Sequence, residues 1–204
     1  MNVSSPILDV IPGHRGAILA ALTSLTTGKV TGRQLAAYTD VPVTTTHRIL
    51  TELVTAGIVH AENVGSSTLY QLNRRHLAAA AIIELAGIRT KLAKQIQDEL
   101  QRFKLPPIAG WLFGSTARGD GTRSSDIDIA LVARDGVDVN DEPWATDVAL
   151  LSVTVAWMTG NVPHIDSYTP SEFRQVSHGG FAATLQAEGL ELVSGGHLAV
   201  LVGN

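Results

Sequence analysis

Two carboxylates with one apolar residue between them stand in the second half of the sequence. Asp126 and Asp128 flank Ile127, and the apolar run that follows is typical of a strand. Strand alternation puts both carboxylates on one face, and Ile127 and Ile129 on the other, in the core. Mg²⁺ prefers oxygen ligands, and it commonly takes them from one or two carboxylates and from the phosphates of a substrate. The pair therefore predicts a magnesium site.

A turn of small residues precedes this pair, with ten residues between Ser115 and Asp126. The apolar run 108–113 predicts a buried strand that leads into Gly114 and Ser115 at the start of a helix. Gly114 permits close approach of the backbone, and the free amides of a helix start and the Ser115 hydroxyl are donors for phosphate. A Walker-type nucleotide site is disfavoured because Asp120 stands where that motif has lysine.

These segments resemble the signature of the DNA polymerase beta-like nucleotidyltransferase superfamily: an apolar residue, Gly-Ser, a gap of ten residues, then Asp-apolar-Asp-apolar. The run 117–119, Ala-Arg-Gly, and Ser125 before the first aspartate make the chain most similar to the minimal nucleotidyltransferase branch. The resemblance covers about residues 107–194.

The resemblance implies the roles of several residues. The implied nucleotide-binding residues are Gly114, Ser115, Arg118 and Ser125, and the implied catalytic metal ligands are Asp126 and Asp128. Two Mg²⁺ ions are expected if the enzyme is active, with a nucleoside triphosphate as substrate and ATP as the first choice. Two ions about 4 Å apart would activate the attacking oxygen and stabilise the leaving pyrophosphate.

Active members of that superfamily usually carry a third carboxylate on a later strand. The candidate strand is 163–168, and Thr169-Pro170 after it resembles the strand-to-helix junction of the family. Counted back from this junction, the position of the acid holds His164, and Asp166 lies two residues later on the same face. Asp166 is the predicted third catalytic residue after a small shift, and a position without a catalytic role is the open alternative.

The first part of the chain predicts short helices followed by a hairpin. Thr31 is suited to cap the second helix, and Pro42 suits the first turn of the third. The predicted helices lie near 15–27, over 32–38 and over 43–56, and the predicted strands lie over 58–64 and 68–72.

This order of elements resembles the winged helix-turn-helix family over residues 11–73. The resemblance implies that the third helix enters the major groove of DNA through its N-terminal residues. Its apolar stripe consists of Thr46, Ile49, Leu50 and Leu53. The predicted DNA-binding residues are Thr44, Thr45, His47 and Arg48. The open alternative is a domain that mediates only protein contacts.

Residues 76–105 predict a linker helix. It connects two domains, which are residues 1–75 and residues 106–204. Gly87 is the position in this helix that least favours helical structure. An apolar stripe on this helix consists of Leu85, Ile88, Leu92 and Ile96. The stripe packs either within the chain or against a second copy in a homodimer, and no sustained heptad decides between the two.

Composition bounds the class of protein. The formal net charge is −4; residues 1–76 carry six basic and four acidic residues, which gives +2, and the remainder carries nine and fifteen, which gives −6. The absence of cysteine excludes disulfides and thiolate metal sites and fits a cytoplasmic location. The start lacks the features of a secretory signal. No apolar run reaches the roughly 18 residues of a membrane span, and the longest, 148–158, is expected to be buried.

The predicted fold is therefore α+β, with an N-terminal winged helix-turn-helix, a linker helix and a C-terminal mixed sheet with flanking helices. The predicted function is magnesium-dependent transfer of a nucleoside monophosphate to an unidentified hydroxyl group by a chain that also binds DNA. Two alternatives stay open. One is a transcriptional regulator whose nucleotidyltransferase-like domain senses a nucleotide or a metal. The other is an antitoxin with a toxin partner, since minimal nucleotidyltransferases commonly pair with a helical toxin.

Overall fold

The computed structural model describes residues 1–25 and 28–193. The chain forms two compact units: a front unit, residues 5–88, and a rear unit, which consists of residues 1–4 and the chain from residue 89 onward. The division falls inside the predicted linker 76–105. Among the described residues, no helix is both long enough and apolar enough to cross a bilayer.

The front unit consists of short helices and a small antiparallel sheet. Its elements are α1 (Ile7–Val10), α2 (His14–Ser24), β1 (Val30–Thr31), α3 (Gly32–Thr39), α4 (Val43–Thr55), β2 (Val59–Val64), β3 (Ser67–Leu72) and α5 (Ala79–Ala86). The strand order is β1-β3-β2. The predicted helices and hairpin are confirmed, while α1 and β1 were not predicted. The first long helix ends at Ser24, and the part of its predicted end at residues 26–27 lies outside the described residues.

Local sequence explains why α3 and α4 form where they do. The Thr31 hydroxyl accepts the Gln34 N–H at 3.2 Å, and the Gln34 side chain accepts the Thr31 N–H at 3.0 Å, which is a capping box. Asp40 ends α3 in the left-handed conformation, with φ +53°. The stripe of α4 is buried as predicted, and its members are Thr46, Ile49, Leu50 and Leu53.

The rear unit is a mixed four-stranded sheet with helices on both faces. Its elements are α6 (Ile88–Leu100), β4 (Ala109–Phe113), α7 (Gly114–Arg118), β5 (Ile127–Val132), α8 (Trp144–Thr159), β6 (Pro163–Tyr168), α9 (Pro170–His178), α10 (Phe181–Glu188) and β7 (Leu190–Val193). The strand order is β6-β5-β4-β7, in which only β5 and β6 pair in parallel. The predicted mixed sheet is confirmed, and residues 194–204 lie outside the described residues.

Alternate residues of β5 serve two cores. Ile129 joins the core formed with α6 and α8, which also includes Val3 from the first residues of the chain. Val132 joins the opposite core, where the rings of Trp111 and Phe173 stack at 5.4 Å. The central strands β4 and β5 are therefore buried on both faces.

The predicted linker helix is divided at Gly87 into α5 and α6. Leu92 and Ile96 are buried in the core of the rear unit, and Leu85 packs against the core of the front unit. The apolar stripe therefore packs within the chain, which is one of the two arrangements that the sequence left open.

The expectation that residues 148–158 are buried holds for only one side of α8. Leu151 and Val155 are buried, but Leu150, Val153 and Trp157 are exposed. The segment is apolar all round, so its periodicity gives no indication of which side the sheet covers.

Candidate functional site

The paired carboxylates lie at the N-terminal end of β5, between two neighbouring strands. Asp126 immediately precedes the strand and is exposed, whereas Asp128 lies within it and is half-buried. Asp128 pairs with Phe113 at the end of β4 and with His164 on β6. This register brings the end of β4, the carboxylates and the start of β6 to one place.

The Gly-Ser turn touches the second carboxylate. Gly114 has φ +69°, and a Cβ at this position would collide with the Asp128 carboxylate. Glycine is therefore required here both for its backbone conformation and for close approach. The turn meets the Asp-Ile-Asp segment because β4 and β5 are antiparallel neighbours.

The short helix α7 and the loop after it fold back on the turn. The Ser115 carbonyl accepts the N–H groups of Gly119, Asp120 and Gly121 at 3.0, 3.2 and 3.2 Å. The buried Thr116 hydroxyl donates to the Asp126 carbonyl at 3.3 Å, which ties α7 to the first carboxylate residue. Within the described chain, no side chain caps the start of α7.

Arg118 is held by two acidic side chains. Its guanidinium donates to Glu188 on α10 at 2.7 Å and to Asp120 at 3.1 Å. The hydrogen bonds to Glu188 and then to Asp120 raise the pKa of Arg118 further, so the side chain is a permanent cation at the edge of the site. A phosphate would have to compete with Glu188 for it.

The predicted third acid lies deeper along β6 than the pair. His164 is the register partner of Asp128, while Asp166 pairs with Ala130. The His164 Nε2 and Asp166 Oδ1 atoms are 3.8 Å apart, which makes a loose contact on the face that they share. The register therefore agrees with counting along the sequence: the position beside Asp128 holds a histidine.

The predicted DNA-binding residues lie on the first turns of α4. Thr44, His47 and Arg48 are exposed, and Thr45 is half-buried. The His47 ring lies against Gly32 at the start of α3, where a Cβ would come within 2.8 Å of it.

Arg48 has an ionic partner within its own helix. Its guanidinium donates to Glu52 at 2.6 Å, and Arg15 pairs with the same carboxylate. All three side chains are substantially exposed, so this network is screened by solvent and weak.

Family models match both units. Residues 16–62 match the IclR helix-turn-helix domain, and residues 92–174 match the nucleotidyltransferase domain. The chain joins an IclR-type helix-turn-helix domain to a nucleotidyltransferase domain. The predicted fused architecture is thereby confirmed.

Searches of curated proteins and of solved structures compare the chain with whole proteins. A search of the curated proteins finds no match. Among solved structures, the chain is similar to one described as "Crystal structure of the toxin-antitoxin with AMP-PNP", with a TM-score of 0.40 and 19% identity over 54% of this chain and 80% of that chain.

In the nucleotidyltransferase domain, the surroundings of Asp128 disfavour the charged form of its carboxylate. Burial raises the pKa of Asp128, and so do the negative charges of Asp126 and, less strongly, Asp166. The nearby His164 and Arg118 act in the opposite direction. A bound cation would relieve this repulsion.

The donor set of the nucleotidyltransferase domain fits Mg²⁺ as a site with two carboxylates. Asp126 and Asp128 supply the number of carboxylate side chains that Mg²⁺ commonly takes when substrate phosphates complete its coordination. No group of three or more His, Asp or Glu side chains gathers as a ligand cluster in the part of the chain that the structure describes. The remaining ligands would therefore come from substrate and water.

The loop before Asp126 is held by a residue that sequence analysis missed. Asn161 is buried, and its side-chain amide donates to the Ser125 carbonyl at 2.9 Å and to the Arg123 carbonyl at 3.2 Å. The Ser125 hydroxyl itself accepts the Thr122 N–H at 2.8 Å, so in this structure it closes the loop. Asn161 follows α8, far along the sequence, and no local pattern connects it with this loop.

A second missed residue supports α7. Arg89 donates to the Ala117 carbonyl at 3.2 Å, in the last turn of the helix, and its guanidinium fills the space beside Gly119. A cation at this end of a helix is favourable. Both missed residues hold the backbone of the site.

Proposed function

We propose that the protein is a magnesium-dependent nucleotidyltransferase, which transfers a nucleoside monophosphate from a nucleoside triphosphate, ATP first among them, to a hydroxyl group, and that its helix-turn-helix domain binds DNA. The observation that carries the proposal is the contact between Gly114 and Asp128, in a domain that matches the nucleotidyltransferase model. This contact brings the turn at the start of α7, which no described side chain caps, against a pair of carboxylates.

In the proposed reaction, the acceptor oxygen forms a bond to the α-phosphorus of the nucleotide. The bond from that phosphorus to the pyrophosphate oxygen breaks, and the hydroxyl proton passes to a base. Bound Mg²⁺ would supply positive charge for the attacking oxygen and for the leaving pyrophosphate. Asp126 and Asp128 would hold the metal, and Asp166 is the proposed base.

The turn and the loop would orient the triphosphate. The amides at the start of α7 and the Ser115 hydroxyl are donors for phosphate oxygens. Arg118 would exchange the carboxylate of half-buried Glu188 for a phosphate. The Ser125 hydroxyl would bind the nucleotide next to the metal site and would also keep the loop closed.

DNA binding is proposed for the N-terminal turns of α4. Recognition helices of this family of motifs insert such turns into the major groove. Thr44, Thr45 and His47 would contact bases or phosphates, and Arg48 would leave Glu52 to bind a phosphate or a guanine.

His164 favours a second candidate function, a transcriptional regulator whose nucleotidyltransferase domain senses a nucleotide. The register partner of Asp128 on β6 is His164, and the resemblance implies a third acid at this position. Mg²⁺ prefers oxygen ligands, and the histidine offers nitrogen at this position. The domain would therefore bind a metal-bound nucleotide more readily than it would catalyse transfer from that nucleotide.

One experiment separates the two candidates. Full-length protein is tested for binding of a non-hydrolysable ATP analogue with and without Mg²⁺, and for transfer of label from [α-³²P]ATP to protein, tRNA and small-molecule hydroxyl acceptors. Combined Asp126→Ala and Asp128→Ala substitution should lower transfer on the order of 10³-fold, the effect of about 4 kcal/mol of lost transition-state stabilisation.

Asp135→Ala is the matched control, because this exposed carboxylate follows the opposite end of β5 and should leave transfer unchanged. Magnesium-dependent binding without transfer in the wild type would select the sensor. Absence of magnesium-dependent nucleotide binding would contradict both candidates.

A further inference from the structure

Residues 1–4 belong to the rear unit and reach the loop that follows the Gly-Ser turn. Met1 and Val3 pack in the rear core, where Val3 is 3% exposed. The next residue, Ser4, places its hydroxyl oxygen against Gly121, in the loop that folds back on Ser115. A residue that precedes the whole helix-turn-helix match is therefore part of the surroundings of the candidate nucleotide site.

The Ser4 hydroxyl oxygen is buried and has no hydrogen-bond partner. Among the residues that the structure describes, two buried side-chain polar atoms lack a partner, and these are Ser4 Oγ and Ser177 Oγ. A buried hydroxyl without a partner has lost its hydrogen bonds to water and has gained none in return, which lowers the stability of the fold. A ligand that supplies the missing partner would explain such a group.

Two hydroxyl groups converge on one point beside Gly121. A Cβ added to Gly121 would lie 3.0 Å from Ser4 Oγ and 3.2 Å from Ser115 Oγ. One acceptor atom close to this shared point can therefore accept hydrogen bonds from both hydroxyls. Gly121 is not among the glycines with positive φ, so its backbone conformation does not require glycine. What the absence of a side chain provides here is the open space at the shared point.

We propose that Ser4 is a nucleotide-binding residue, whose hydroxyl donates together with that of Ser115 to one oxygen of the triphosphate. The inference rests on the nucleotide site proposed above. Ser115 follows Gly114, which contacts the Asp128 carboxylate, so a triphosphate bound beside the carboxylate pair brings phosphate oxygens to this turn. Hydrogen bonds to a charged oxygen are stronger than those between neutral groups. Ser4 lies outside residues 92–174, so the family match does not assign this role.

The first test compares two variants that each remove one of the unpartnered hydroxyls. The affinity of the full chain for a non-hydrolysable ATP analogue is measured by calorimetry in the presence of Mg²⁺. Ser4→Ala should weaken binding about tenfold, the effect of one lost hydrogen bond to a charged group. Ser177→Ala is the matched control, because it removes the same atom from a buried serine on α9 and should leave the affinity unchanged.

Thermal melting separates a role in binding from a role in the fold. Without nucleotide, Ser4→Ala should melt at the wild-type temperature or above it, because loss of an unpartnered hydroxyl breaks no hydrogen bond. At one concentration of the analogue with Mg²⁺, the melting temperature should rise more in the wild type than in Ser4→Ala, since the wild type binds more tightly. A lower melting temperature of Ser4→Ala without nucleotide would show that the hydroxyl supports the fold, and would overturn the proposal.

Gly121→Ala tests the shared point itself. The new methyl group would occupy this point after its neighbours move by a few tenths of an ångström. It should weaken binding of the analogue at least tenfold, because it excludes the phosphate oxygen from both hydroxyls. The combined Ser4→Ala and Gly121→Ala variant should then bind no more weakly than Gly121→Ala alone, since the two changes remove the same interaction. Circular dichroism and melting without nucleotide check that each variant is folded.

The outcomes distinguish this inference from the proposed function. Equal affinity of Ser4→Ala and the wild type for the analogue would overturn the role of Ser4 and leave the proposed function standing. Additive losses in the combined variant would overturn the shared point. A wild type that binds no analogue in the presence of Mg²⁺ would contradict the proposed function and the role of Ser4 together.

Discussion

The helix-turn-helix domain and the nucleotidyltransferase domain assemble their candidate sites in different ways. Thr44 to Arg48 lie within five consecutive positions at the start of one helix. The site of the nucleotidyltransferase domain draws on the end of β4, the start of β5, β6 and α10, so that Arg118 meets Glu188, 70 residues away. One site is a surface of a single element, and the other exists only when the sheet is paired in the right register.

The two sites also differ in their electrostatic cost. Arg48 is exposed and shares Glu52 with Arg15, so its charge is solvated and compensated. Asp128 is half-buried beside Asp126, and the pKa of its carboxyl group is raised by both causes. A site that holds charged groups together out of solvent commonly lowers the stability of the folded protein. A solvated DNA-binding surface lowers this stability much less.

Among the variants that test this difference between the two sites, Arg48→Ala should have the largest effect. Loss of one phosphate or guanine contact should weaken DNA binding by about 1–3 kcal/mol, roughly five- to 150-fold. If the contact is to phosphate, the salt dependence of binding should also decrease by about one unit of slope. Fluorescence anisotropy with DNA enriched from a random pool by the intact chain measures both quantities.

Glu52→Gln is the control for that measurement. It removes the carboxylate that holds Arg48 and should strengthen DNA binding, since the guanidinium no longer has to leave an ionic partner. Magnesium-dependent nucleotide binding should be unchanged in both variants. Equal DNA affinity of Arg48→Ala and the wild type would contradict the assignment of α4 as the DNA-binding helix.

The two capping boxes allow a matched comparison between the front and rear units. The expected effects on stability are smaller here. Thr31 with Gln34 begins α3 in the front unit, and Thr169 with Glu172 begins α9 in the rear unit. Thr31→Ala should cost about 1 kcal/mol of stability at any moderate pH, because Gln34 does not titrate. Thr169→Ala should be destabilising at neutral pH and less so in acid.

The sign follows from the pKa of Glu172, which is lowered by a hydrogen bond from the Thr169 backbone N–H and, less strongly, by one from the Thr169 hydroxyl. Thr169→Ala removes only the second of these bonds. An acid with a lowered pKa in the folded state contributes stability above its unfolded value, near 4.3, and loses it as the pH falls through the folded value. Tryptophan fluorescence reports the rear unit, which holds all three tryptophans, and far-ultraviolet circular dichroism follows the loss of helix in the whole chain. A cost of Thr169→Ala that is the same at pH 7 and pH 3 would contradict this account.

Features that follow the period of a single helix or strand could be predicted from the sequence. Contacts between residues that are far apart in the sequence could not. The inward stripe of α4 and the alternation around Asp128 follow from helical and strand periods. Asn161 holds the Ser125 loop across a gap of 36 residues, and Val3 packs in the rear core, without any periodic signal. The exposed side of α8 was missed because both of its sides are apolar.

The smallest predicted effect tests whether the carboxylate pair costs stability. In EDTA at pH 7, Asp128→Asn should raise the melting temperature of the rear unit by about 1 °C, because it removes a half-buried charge beside Asp126. The raised pKa means that the folded wild type binds this proton more tightly than the unfolded chain does. Wild-type stability therefore decreases as the pH rises from below the ordinary aspartate value, near 3.9, through the folded value.

The advantage of Asp128→Asn should consequently vanish in acid, where both chains are uncharged at this position. Asp135→Asn, at an exposed site after the same strand, should show no such gain. Thermal melting followed by tryptophan fluorescence measures the difference. If Asp128→Asn instead lowers the melting temperature at pH 7, the carboxylate stabilises the fold through contacts of its own, and the contrast with the solvated Arg48 fails. If the gain appears and metal-dependent nucleotide binding is lost in the same variant, the repulsion at Asp128 is the cost of keeping a cation site.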